Sequence, residues 1–135
     1  MKYLAIIIVF IILTSQSCNS GYETYSQVDN VTFAYKWGQA KNEAGEKVPA
    51  MMLFVGNENT SDIHYQLNVD FYYEGILRES GALSHCVQTG KARKGKLNGV
   101  YLISEKFTSD QINSSDFKVE LNDIVVEQIA ECKPD

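Results

Sequence analysis

The stretch Ile63-His64-Tyr65-Gln66-Leu67-Asn68-Val69-Asp70-Phe71-Tyr72-Tyr73 decides the fold. Its odd positions are all apolar or aromatic, and its even positions are polar except at Tyr72. Successive side chains of an extended chain point to opposite faces, so this run reads as a strand with one face in a core and one in water. A strand with one wet face belongs to an antiparallel sheet, because parallel sheets are covered on both sides.

The same period of two extends in both directions. In Val31-Thr32-Phe33-Ala34-Tyr35-Lys36-Trp37 the odd positions are large and apolar, and Met51, Leu53 and Val55 continue the theme. Residues 76–80, 83–88 and 97–104 read as further strands, the last interrupted by Gly99, and Phe117, Val119 and Leu121 alternate again. After Asn122-Asp123 the apolar positions become even, at Ile124 and Val126, which predicts a bulge or a tight turn.

Turn chemistry separates these runs. Residues 38–48 and 57–62 read as polar connections, and Glu74-Gly75 as a hairpin turn in which glycine supplies a positive φ. Thr108-Ser109-Asp110-Gln111 has the spacing of a capping box and predicts a single helical turn. Seven to eight short strands with a turn every ten residues or so predict an all-β chain, an antiparallel β-sandwich.

With 135 residues there is room for one such domain. The formal charge is -5; removing residues 1–17 takes away Lys2 and no acid, leaving 11 basic and 17 acidic side chains, a balance of -6. Nucleic-acid binding rests on neutralising phosphates, so no nucleic-acid partner is expected.

The amino terminus carries a different message. Met1 and Lys2 precede an apolar run from Tyr3 to Leu13, followed by Thr14, Ser15, Gln16 and Ser17, the layout of a secretory signal whose core is helical. A spanning helix needs about twenty apolar residues, so this run is too short to remain as an anchor. Leu13-Thr14-Ser15-Gln16-Ser17-Cys18 resembles the lipobox of bacterial lipoproteins, with small Ser17 before the cysteine. It departs from that pattern at Ser15 and Gln16, where the family places leucine and a small residue. The resemblance implies cleavage before Cys18, lipidation of its thiol and a chain held on the membrane by fatty acids such as palmitate. Two or three acyl chains make such attachment stable, each buried methylene contributing about 0.8 kcal/mol. Asn19 is not the Asp that retains enteric lipoproteins at the inner membrane, which points to the outer membrane.

Three cysteines are an odd number for an exported chain. Lipidation of Cys18 accounts for one and leaves Cys86 and Cys132 either as a disulfide, which persists outside the cytoplasm, or as two separate buried thiols. The expected organisation is a signal peptide over 1–17, a lipidated cysteine and polar tether over 18–27, and the β-sandwich over 28–135. Over residues 28–132 composition and strand count are similar to the small immunoglobulin-like domains of exported bacterial lipoproteins. Trp37 precedes both candidate cysteines, unlike the antibody order of Cys, Trp, Cys, so the likeness concerns architecture.

Residues that carry chemistry elsewhere have structural readings here. Cys86 follows His85, but neighbours on a strand point to opposite faces, so a thiol–imidazole pair is not expected and the histidine is read as a surface residue. His64 and His85 are the only imidazoles, without zinc spacing, and Glu58, Asp62 and Asp70 offer loop oxygens without a calcium-loop pattern. No catalytic residue, metal or cofactor is expected. Lys91, Arg93, Lys94 and Lys96 form a basic cluster between glycines, read as a hairpin tip or as a contact for anionic groups. Tyr72 and Tyr73 point to opposite faces, so one of them is a candidate for contact with protein or sugar. Together these features predict a membrane-anchored, non-enzymatic binding domain with an envelope protein, or else a glycan, as partner. A carbohydrate-binding accessory module and an inhibitor or immunity protein are the alternatives.

Overall fold

The structure, a computed structural model, describes residues 21–134. The leader and Cys18 lie outside the described residues. The chain runs β1 (Glu23–Val28), β2 (Val31–Lys41), β3 (Lys47–Asn57), β4 (Asp62–Tyr73), β5 (Ile76–Val87), β6 (Ala92–Lys94), β7 (Tyr101–Ile103), α1 (Ser109–Ile112) and β8 (Phe117–Ile129). All strand pairs are antiparallel. The first sheet has the order β1-β2-β3-β6, with β7 also on β3, and the second has the order β5-β4-β8.

The two sheets meet through the residues that the alternation marks. Val31, Phe33, Met51, Leu53 and Val55 face Ile63, Tyr65, Leu67, Val69 and Phe71 across one buried cluster. This is a β-sandwich, as the sequence predicts. At one end Trp37, Phe71, Phe107 and Phe117 pack ring against ring, with centroids 5.0 Å apart for Phe107 and Phe117 and 5.3 Å for Trp37 and Phe71. Such tilted and edge-on pairs add stability beyond the area they bury.

Local signals explain most connections. Glu74 and Gly75 have φ of 51° and 75° between paired Tyr73 and Ile76, the two-residue turn whose twist suits a hairpin. Asp29 and Asn30 do the same between β1 and β2, with φ of 48° and 59°. The capping box forms, with Gln111 N–H donating to Thr108 Oγ1 and Thr108 N–H donating to Gln111 Oε1. The phase change in β8 is a bulge: Gln66 faces Val125 and Asn68 faces Asn122, so Leu67 opposes both Asp123, at φ 51°, and Ile124.

Four sequence expectations change. The polar stretch read as tether up to residue 27 enters the sheet at Glu23 as β1, because an edge strand held by backbone hydrogen bonds needs no apolar face. The connection read as 38–48 shrinks, since β2 and β3 stay paired out to Lys41 and Lys47. The two strands read over 76–88 are one, and Gly81 within it makes room for Leu102, whose Cδ atoms would lie 3.0 Å from an added Cβ. The strand read over 97–104 is a 3-10 turn at Lys96–Asn98 followed by the short β7.

Candidate functional site

The end of the second sheet where β4 begins is fastened from several sides. Cys86, near the end of β5, is bridged to Cys132, beyond β8, with the Cα atoms 5.7 Å apart. Since β5 and β8 flank β4 on opposite sides, the bridge ties together the two outer strands of that sheet. Half-buried Asp62, the first residue of β4, accepts Thr89 N–H and Cys132 N–H, each at 2.8 Å. These two donors hold its carboxyl below the usual range for aspartate.

Asn57 fixes the neighbouring turns. It is buried at the end of β3, and its Nδ2 donates to Ser61 O at 2.9 Å and Val87 O at 3.1 Å. Its Oδ1 accepts Asn59 N–H, its backbone N–H donates to Lys91 O, and its own carbonyl accepts Gly90 N–H. A buried amide with every group paired in this way sets the path of the chain around it. Nothing in the alternation of the sequence marks it, because it reads as one more polar loop residue.

Beside the bridge is a solvent-open cavity of about 340 Å³, lined by Cys86, Lys91, Arg93, Cys132 and Lys133 among others. Arg93 pairs with core-facing Val55, turns inward and donates from Nη1 to Cys86 O at 3.1 Å. Lys94 pairs with Phe54 and lies on the other face of the sheet. Lys96 sits in the 3-10 turn and donates from Nζ to Gln39 O at 3.3 Å. The basic cluster is thus a paired strand and a turn rather than a hairpin tip, and its cations are divided between the two faces.

The remaining candidates are elsewhere. Tyr73 packs inward, 6.1 Å from Phe107, while Tyr72 lies on the outer face of the second sheet. Loss of hydration and the charges of Glu120 and Asp70 raise the Tyr72 phenol above its usual range. The six residues proposed for contact therefore do not share one surface. His85 is half-buried against the Tyr65 ring at 5.9 Å, on the core side rather than the surface, while Cys86 points the other way into the bridge. His64 pairs with Ser84 Oγ at 3.0 Å.

The acids offered for calcium are engaged separately: Glu58 by Gln27, Asp62 as above, and Asp70 by Ser80 at 2.6 Å and Asn122 at 2.7 Å. Among the described residues no group of three or more His, Cys, Asp or Glu is placed to hold a metal ion, and no helix is long and apolar enough to cross a membrane.

One further feature stands out on the first sheet. Leu97, in the 3-10 turn, is 99% exposed, against 53% for Ile76, the next most exposed large apolar residue among the described residues. No protein-family model, no curated protein and no solved structure matches the chain.

Proposed function

We propose that this chain is a bacterial envelope lipoprotein: residues 1–17 are a signal peptide, Cys18 is the acylated first residue, and the β-sandwich is a non-enzymatic binding domain held at the outer membrane. The observation that carries this reading is the Cys86–Cys132 bridge. It takes up two of the three cysteines and leaves Cys18, the one that ends the apolar leader, outside the pair. A bridge of this kind persists in oxidising compartments, which agrees with export. Attachment through fatty chains would hold the domain at the membrane surface, where the partner expected is another envelope protein.

The test is the mass of the mature protein isolated from the envelope of a bacterial host. The expected result is a chain beginning at Cys18 and carrying acyl groups, with Cys18→Ser blocking both processing and membrane retention. A chain that begins elsewhere, or a free Cys18 thiol, overturns the reading.

A further inference from the structure

We propose that residues 96–99 form a membrane-contacting loop, in which Leu97 enters an anionic bilayer surface beside the Cys18 anchor while Lys94 and Lys96 meet the headgroups. This rests on the acylation of Cys18 argued above.

The loop is an addition to the sheet rather than a part of it. Both β6 and β7 pair with β3, and the chain between them leaves the ladder and returns through a bridge between Gly95 and Val100. Leu53 stays fully paired at this point, its N–H donating to Val100 O at 2.9 Å and its carbonyl accepting Gly95 N–H at 3.0 Å. The ladder therefore runs through the foot of the loop without needing residues 96–99.

The loop is nevertheless built to hold one shape. Gly95 and Gly99, at φ of 59° and 67°, take the positive-φ conformations that open and close it, the second of them left-handed helical. Lys94 N–H donates to Asn98 Oδ1 at 3.0 Å, and Gly99 N–H donates to Lys96 O at 3.2 Å. This frame presents the most exposed large apolar side chain among the described residues, so Leu97 adds almost nothing to the core. An apolar tip with lysines at its base is the arrangement that favours an anionic lipid surface: the apolar group leaves water while the cations stay at headgroup level.

The position of the anchor makes a bilayer the partner favoured over an acidic protein. Tyr22 lies on the outer face of the first sheet, its ring 5.7 Å from that of Phe54 and under Lys36 Nζ at 4.5 Å. Its hydroxyl would stand 3.2 Å from a Cβ at Gly95, so the side chain of Tyr22 crosses this face from the β1 edge and its tip reaches the foot of the loop. Cys18 precedes Tyr22 by four residues, a reach of at most about 14 Å at full extension. Acyl chains on Cys18 would therefore keep this face near the membrane, and so short a tether makes a second, weak contact effectively intramolecular.

The test uses the full acylated protein carrying Leu97→Trp, reconstituted in phosphatidylglycerol-containing vesicles, with the emission of the wild-type protein subtracted to remove Trp37. Blue-shifted emission, quenched by brominated lipid and weakened by Lys94→Glu with Lys96→Glu, is the expected result. Emission typical of water, with the anchor confirmed by mass in the same sample, overturns the loop contact and leaves the lipoprotein reading standing. An unmodified Cys18 overturns both. A shift that needs a protein fraction and is absent from protein-free vesicles also overturns the bilayer contact, in favour of a protein one.

Discussion

Near the start of β4 and halfway along β3 the chain meets the same problem, a segment leaving a sheet, and solves it in opposite ways. At the first place the segments flanking β4 are tied back by the Cys86–Cys132 bridge, by the Asp62 carboxylate and by buried Asn57. At the second the chain is released into a four-residue loop, shaped by backbone and Asn98 contacts and ending in bare Leu97. The difference separates residues that hold the fold from residues the fold does not need. Buried or bridged groups lose their contacts when they are changed, whereas an exposed tip has few to lose.

The comparison breaks most visibly at the bridge. Closing a loop between cysteines 46 apart in sequence restricts the unfolded chain by about 4 kcal/mol in the chain-entropy account. Cys86→Ser with Cys132→Ser is expected to lower unfolding free energy by roughly that amount, a large fraction of the 5–15 kcal/mol typical of a domain. Urea denaturation of the two proteins measures it. A loss below about 1 kcal/mol would mean that the polar contacts at this end hold it without the bridge.

How much of this contrast the sequence carries depends on what each residue does. The β4 alternation is legible because every inward residue is apolar, and the turn at Glu74-Gly75 because positive φ narrows the residue choice. β1 is not legible, since Glu23–Val28 is mostly exposed and pairs through its backbone. Asp29-Asn30, both residue types that tolerate positive φ, is the signal that would have found its hairpin. Counting cysteines offers the bridge as one of two readings, but it says nothing of the roles of Asp62 and Asn57, because their partners are backbone groups distant in sequence. Lys91, Arg93, Lys94 and Lys96 form a cluster in sequence, yet strand alternation in β6 sends Arg93 and Lys94 to opposite faces. The same principle, applied to His85 and Cys86, separated that pair correctly but assigned the histidine to the surface, whereas it lies on the core side against Tyr65.

Acid sharpens the comparison by acting on Asp62. Two backbone donors lower its folded pKa, so the carboxylate contributes stability that is complete above the ordinary aspartate value of about 4. As pH falls through that value towards the lower folded one, the unfolded chain takes up the proton first and the contribution is lost. The wild-type urea midpoint is therefore expected to drop between pH 6 and pH 3, and Asp62→Asn to drop less over the same interval. Equal drops in the two proteins would place the acid sensitivity on other carboxylates.

The smallest effect on stability is expected at the loop. Leu97→Ser removes a side chain that is almost wholly in water, and it leaves the Gly95–Val100 bridge and the Asn98 contact in place. Substitutions of this kind normally stay within about 0.5 kcal/mol, so the urea midpoint should coincide with that of the wild type. A loss above about 1 kcal/mol would show that Leu97 packs against the domain in solution, and the contrast between a fastened end and a free tip would fail. An unchanged midpoint leaves the exposure of this leucine without a folding reason, which is why its contact with a partner is a question separate from the stability of the sandwich.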